Sequence, residues 1–326
     1  MSSFIKKNVI GVDITVSLTT IVLVDLRGTV LAKDTMTTQD YPDVNGFVEA
    51  VSERIILMAE ANGGYENIRS VGVSAPSANY MTGSIENAVN MPWKGIIPLA
   101  ALLRDRVGLA VAVGNDAHAS AMGEYVYGSA RGMENFILIS LGHGGVGSCF
   151  FSKGRPHLGQ HGFAGEVGHC CVVPNGRQCN CGRKGCLEEY VSDRGIVCTA
   201  QELMAESQEP TLMRNLSELT PLTIGECCEQ GDKLALEVYK RTGEMLGLGL
   251  ANYASLINPE AIILTGEQTQ VYKWLGPSME ESFEEHVFHN TRNKVKLVVS
   301  ILDNHERDVL GASALAWTVK EYSLFL

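Results

Sequence analysis

A chain of 326 residues with 45% hydrophobic content has enough apolar side chain to fill one large or two ordinary domains. Its 26 basic and 37 acidic residues leave a net charge of −11, which disfavours nucleic acid as a partner, because that affinity comes chiefly from Lys and Arg against phosphates. No apolar run reaches membrane-spanning length, and Met1 to Lys7 does not lead into an apolar export segment, so the expected setting is the cytoplasm with no membrane partner.

In chain order, residues 9–28 read as an apolar strand, a turn and a second apolar strand ending at Arg27-Gly28. Apolar residues at helical spacing then predict a helix over Val48 to Ala61, followed by strands over Ser70 to Ser74 and Ala110 to Gly114 and a helix over Ala117 to Tyr127. Residues 136–154 repeat the opening plan with Ser140 in the place of Asp13, and the second turn is rich in glycine, so backbone N–H groups there can approach phosphate oxygens. A long helix over Lys233 to Ile257, strands over Ala261 to Thr265 and Lys296 to Ile301, and a last helix over Leu310 to Tyr322 complete the reading. Alternating strands and helices predict an α/β architecture, and the repeated hairpin predicts duplicated domains with a cleft between them.

One segment is chemically specific. His169, Cys179, Cys181 and Cys186 fall within twenty residues, with Gly182 and Gly185 between the thiols where a tight turn is needed. Cys-x-Cys with a third Cys five residues on and one His matches a four-ligand tetrahedral Zn²⁺ site. Cys170 and Cys171 adjoin His169, and a residue next to one ligand is poorly placed to share its tetrahedron. Nine cysteines, an odd number and partly clustered, fit reduced thiols plus zinc better than disulfides. Four protein ligands leave no open position for a water, which disfavours a zinc hydrolase.

Four segments together resemble the ROK family (repressors, open reading frames and kinases): V-A-V-G-N-D-A-H at 111–118, G-E-V-G-H at 165–169, the cysteine cluster with Leu187-Glu188, and L-I-N-P-E-A-I-I-L-T-G at 256–266. The resemblance covers nearly the whole chain. It implies an actin-like ATPase (ribonuclease H-like) fold, with a smaller α/β domain over 1–118, a larger one over 119–309 carrying the zinc knuckle, and the C-terminal helix, 310–326, packing back on the first. It implies a glucokinase-like or N-acetylhexosamine kinase activity using ATP and Mg²⁺, with structural Zn²⁺, a small-molecule sugar and nucleotide as partners, and a homodimer or higher homo-oligomer. Asp116 matches the general base, although Asn115-Asp116 also reads as a helix cap. Asn90, Asn115, Asp116, Glu166, His169 and Glu188 match the sugar-binding ring. His169 would bind zinc through one ring nitrogen and the sugar through the other.

The nucleotide side departs from the family pattern. Where the family reads Asp-x-Gly-Gly-Thr-Lys, this chain has Asp13 followed by Ile14-Thr15-Val16-Ser17-Leu18, so both glycines and the lysine are missing and only Ser17 supplies a hydroxyl. The second loop keeps Gly142 and Gly144, with His143 in the usual threonine place. Gly266 remains near the adenosine position, but Glu267 adds a negative charge beside it. Asp13, Ser17, Gly142, His143, Gly144 and Gly266 are thus the candidate nucleotide contacts. The expectation is a sugar kinase with a weakened ATP site. The alternative is a sugar-binding sensor or regulator of the same family. With only twelve residues ahead of Asp13, no helix-turn-helix is expected.

Overall fold

β1 (Asn8–Ile14) and β2 (Leu18–Asp25) form the first hairpin, since Val9, Ile10, Val12, Ile21, Val22 and Leu23 are all fully buried and only a strand can bury successive residues on opposite faces. The computed structural model describes residues 6–88, 91–142, 145–303 and 306–319. The chain divides into two units, Met1–Gly132 with Ile301–Leu326, and Met133–Ser300.

In the first unit, β3 (Val30–Thr37), α1 (Val44–Ala61), β4 (Ile68–Ser74), the short strands β5 (Ala78–Asn79), β6 (Ser84–Glu86) and β7 (Ile96–Ile97), α2 (Leu99–Val107), β8 (Val111–Gly114) and α3 (Asp116–Val126) follow. The Asp43 carboxylate accepts from Gly46 N at 2.9 Å and caps α1. The helix therefore begins at Val44 instead of Val48, because a cap, and not the apolar stripe, sets a helix start. Phe47, Val51 and Ile55 carry its buried face into a core with Ile10, Val12 and Leu103.

In the second unit come β9 (Phe136–Gly142), β10 (Gly145–Ser152), β11 (Arg155–Pro156), α4 (Glu188–Val191), α5 (Asp193–Glu206), α6 (Pro221–Glu229), α7 (Lys233–Ile257), β12 (Ala261–Thr265), α8 (Tyr272–His286) and β13 (Lys296–Val299). α7 has the limits read from the sequence: Asp232 caps its start, accepting from Leu234 N and Ala235 N, and Asn258 ends it in the left-handed conformation. Its buried face joins Ile137, Ile139, Ile262 and Phe283 in the second core.

α9 (Arg307–Thr318) belongs to the first unit, where it packs on β1, β4 and α3, with Ser70 Oγ donating to Ala316 O at 2.7 Å. It starts three residues before the expected Leu310, while residues 320–326, including Tyr322, lie outside the described residues. The division between units falls at Gly132, not at residue 118, because α3 is buried without a break from Ala117 to Glu124 and lies against α9. The two five-stranded sheets have matching orders, β3-β2-β1-β4-β8 and β11-β10-β9-β12-β13, with matching strand directions. In both, a residue near the end of the first strand pairs with the last residue of the next parallel strand: Asp13 with Ser74, and Ser140 with Thr265. Among the described residues no helix is long and apolar enough to cross a membrane.

Candidate active site and metal centre

The cysteine segment of the second unit folds as a knuckle. Cys179 N donates to Arg183 O at 2.8 Å and Gly182 N to Cys179 O at 3.0 Å, and the backbones of Cys171 and Cys186, both free thiols, pair antiparallel at its base. Gly185 has φ +77°, and a Cβ there would lie 1.8 Å from Val173 O, so only glycine fits. One ligand atom from each of His169, Cys179, Cys181 and Cys186 lies within 4.8 Å of all the others. Cys181 Sγ and Cys186 Sγ are 3.6 Å apart, and Cys179 Sγ is 3.7 Å from His169 Nδ1. A tetrahedral zinc with Zn–S of about 2.3 Å and Zn–N of about 2.0–2.1 Å requires edges of about 3.8 and 3.6 Å. The donor set therefore fits the metal, with Nδ1 as the histidine ligand and Nε2 left over. Hydrogen bonds from Arg183 pull the Cys181 thiol down to about 6, whereas burial pushes Cys179 up to about 12 and also raises Cys186. A dication supplies the charge that such buried thiolates need. Cys170 and Cys171 are exposed and outside this set.

The polar residues expected around the sugar divide between the units. In the second, Glu166 is exposed at the start of the single turn Val167–His169, and Glu188 opens α4 half-buried. Glu188 Oε2 accepts from Val146 N at 3.1 Å, at the foot of the glycine-rich turn, and its carboxylate also lies within 4.8 Å of the Cys179 sulfur. The carboxylate thus joins the metal knuckle to the second hairpin, a link without any sequence signal. Gly266, at φ +101°, presses against Leu141 of β9, and the Glu267 carboxylate stands 3.7 Å from where a Cβ of Gly142 would be. His143 and Gly144 of that turn, and Asn90 of the first unit, lie outside the described residues.

In the first unit, Asn115 Oδ1 accepts from His118 N at 2.7 Å and so caps α3. Asp116, the first residue of that helix, is free of this duty and accepts locally, from Ala117 N at 2.8 Å. Asp116 is exposed as a residue, while its carboxyl group is crowded by protein. Desolvation, and then the Asp308 charge, hold its pKa above the ordinary carboxylate range. Asp13, at the end of β1, is raised to about 7 by burial and by Asp308 and Asp116, with Ser74 and Arg307 acting against them. Burial takes His118 down to about 4, so it adds no charge near Asp116 at neutral pH.

Asp308 and Arg307 were missed in the sequence. They form a pair at 3.0 Å in the first turn of α9. The available signal was an adjacent Arg-Asp at the head of the otherwise apolar, small-residue run Val309 to Ala316.

The first turn is closed by its own side chain. Thr15 N and Thr15 Oγ1 both donate to Leu18 O at 2.8 Å, and Thr15 Oγ1 accepts from Leu18 N at 3.0 Å. Ser17 is exposed, and Leu18 is 44% exposed where the family pattern has a lysine.

Comparison with protein-family models matches residues 9–319 to the ROK family. A glucokinase from Halalkalibacterium halodurans is 34% identical over 256 residues, spanning 77% of this chain and 76% of that protein. The structure of a ROK family transcriptional regulator, a homologue of the E. coli MLC protein, superposes with TM-score 0.84 at 27% identity, over 95% of this chain and 78% of its own. A ROK family glucokinase from Streptomyces griseus, solved with glucose and AMPPNP, gives TM-score 0.73 at 28% identity, over 96% and 100%. With a family match running almost from end to end and the duplicated sheets of an actin-like ATPase fold, the chain belongs to the ROK family.

Proposed function

We propose that the protein phosphorylates a hexose or an N-acetylhexosamine at the expense of ATP, with Asp116 as general base. The observation that carries the reading is the state of Asp116: it heads α3, leaves the capping to Asn115, and has a pKa raised by desolvation and by Asp308. A carboxylate of raised pKa is a stronger base, and Asp116 is exposed as a residue, at the surface where a hydroxyl can approach. The attacking sugar oxygen loses its proton to Asp116 as it bonds to the γ-phosphorus, and the bond to the ADP oxygen breaks. Mg²⁺, when bound with the nucleotide, neutralises charge on the phosphates. Asn115, Glu166, His169 and Glu188, with Asn90, orient the sugar through its hydroxyls, and zinc at His169 and the three cysteines would fix the knuckle that carries His169 and leads into α4 with Glu188.

A second reading, a sugar-responsive regulator with little phosphoryl transfer, is favoured by the first turn, where Thr15 already occupies the Leu18 N–H, and by the Glu267 carboxylate beside Gly142. The similarity to both a glucokinase and a transcriptional regulator is compatible with either reading. A coupled ATPase assay over a panel of hexoses and N-acetylhexosamines separates them. Sugar-dependent ADP release that disappears in Asp116→Asn supports the kinase. Calorimetric sugar binding without any such release sinks it in favour of the regulator.

A further inference from the structure

We propose that Arg177 is a positioning residue for sugar binding: its guanidinium locks the metal knuckle to the corner between α4 and α5 and so determines where the Glu188 carboxylate stands. The inference rests on Glu188 being a sugar contact, as proposed above.

Arg177 lies on the knuckle two residues before Cys179. Its guanidinium makes five hydrogen bonds, matching its five N–H groups. Nε donates to Glu202 Oε1 at 3.0 Å, Nη1 to Glu189 O at 2.7 Å and Gly195 O at 3.1 Å, and Nη2 to Thr199 Oγ1 at 2.9 Å and to Glu202 Oε2. The Tyr190 ring lies 4.7 Å from the guanidinium carbon, and the Tyr190 hydroxyl accepts from Arg177 N at 2.9 Å. One side chain of the knuckle therefore holds the carbonyl of Glu189, the ring of Tyr190 and a carboxylate on α5. The approach is close enough that a Cβ on Gly176 would fall 2.0 Å from the Tyr190 hydroxyl. The Arg177 side chain is only 15% exposed, and its bonds to Glu189 O, Gly195 O and Thr199 Oγ1 are part-buried, whereas the Glu202 carboxylate is 48% exposed.

α4 needs such a tether. It has four residues, and a single helical turn does not maintain itself, because ordering its dihedrals costs more than one turn of hydrogen bonds returns. Its position is set from outside, by Leu187 in the core and Leu187 N on Cys170 O, by Val146 N on Glu188, by Arg194 on the Glu189 carboxylate, and by Arg177 on Glu189 O. Removing the arginine side chain frees the carbonyl next to Glu188 and loosens the α4–α5 corner from the knuckle, leaving the bonds of Arg177 N to the Tyr190 hydroxyl and of Leu187 N to Cys170 O, while all four candidate metal ligands remain.

The test is Arg177→Met, which keeps the apolar stem, beside Arg177→Lys, Glu188→Gln and the control Arg214→Ala. Arg214 also ties α5, through Met204 O and Ser207 O, but at its far end. Zinc content, calorimetric affinity for D-glucose and N-acetyl-D-glucosamine, and amide exchange at Glu189 and Tyr190 are measured for each. Arg177→Met is expected to keep its zinc, to bind sugar about 10- to 100-fold more weakly, as lost supporting contacts around a metal site do, and to exchange the Glu189 and Tyr190 amides faster. Arg177→Lys should not restore affinity, since a point charge cannot replace a planar fork. Arg214→Ala should lower the melting temperature and leave sugar affinity and those amides unchanged.

If Glu188→Gln loses affinity and Arg177→Met does not, the positioning role is wrong and the sugar assignment stands. If Glu188→Gln binds as wild type, the sugar assignment itself fails. Unchanged amide exchange in zinc-loaded Arg177→Met overturns the proposal whether or not either sugar binds. Loss of zinc in that variant also overturns it, because the arginine would then serve the knuckle alone. Should Arg177→Met fail to fold, Glu202→Ala and Thr199→Val remove its partners one at a time, and the same readouts decide.

Discussion

At the turn of the first hairpin, Thr15 uses its hydroxyl and its N–H to close the chain onto Leu18, whereas the turn of the second hairpin keeps its glycines and takes the Glu188 carboxylate on Val146 N. The strands on either side are equivalent in order, direction and pairing. Duplication has therefore preserved what the core requires and left the turns free to differ, since turn residues meet solvent or ligand and not the opposing face of a sheet. The first unit has the candidate base and a closed turn. The second has the candidate metal knuckle, and Glu188, whose carboxylate lies within 4.8 Å of Cys179 Sγ, accepts from Val146 N beside its turn.

The largest expected effect tests whether order in the second unit depends on metal. Cys181→Ala should lower zinc from about one ion per chain to near none and cut the melting temperature, because structural zinc contributes on the order of 10 kcal/mol in small modules. Amide exchange should rise in the knuckle and α4 and stay unchanged in β1 and β2. Full metal occupancy with an unaltered melting point would break the distinction between the units.

Asp116→Asn comes next. It keeps shape and hydrogen-bonding capacity and removes the base, so turnover should fall by about 10²- to 10⁴-fold while sugar binding weakens but remains measurable by calorimetry. Wild-type turnover in that variant would leave the first unit without the proposed chemistry.

The contrast between the turns is sharpened by making the first resemble the family pattern. Thr15→Gly, Val16→Gly and Leu18→Lys together free the Leu18 N–H, relax the backbone and add a cation. Mg·ATP affinity should rise, and the wild type should bind sugar more tightly than Mg·ATP. A wild type with ordinary ATP affinity and a triple variant that gains nothing would show that the closed turn is no obstacle.

The smallest effect concerns pH. Asp13 is raised to about 7 in the folded protein, so the folded state holds its proton more tightly than the unfolded chain does. Its contribution to stability therefore becomes less favourable as pH rises from the ordinary carboxylate range to about 7, and is constant above that. Asp13→Asn, measured without Mg²⁺ or nucleotide, should melt above the wild type at pH 8, with the difference vanishing near pH 4. A difference independent of pH would remove the titration from the account.

Period and spacing in the sequence determined the α/β alternation, the repeated hairpin and the full length of α7, because burial of one face imposes a pattern that survives any arrangement of neighbours. They also marked the four candidate metal ligands, since Cys-x-Cys and its glycines answer to coordination geometry over a few residues. Helix starts were less legible: α1 begins at its Asp43 cap, four residues ahead of its apolar stripe. Only the tertiary structure decided the rest. It assigned α3 and α9 to one unit, brought Asp308 and Arg307 from the end of the chain to act on Asp13 and Asp116, and gave Arg177 its five acceptors. The reason is sequence separation. Charge–charge and hydrogen-bond energies depend on distance in space, and nothing in the local pattern around Asp116 records a carboxylate that lies 192 residues further along the chain.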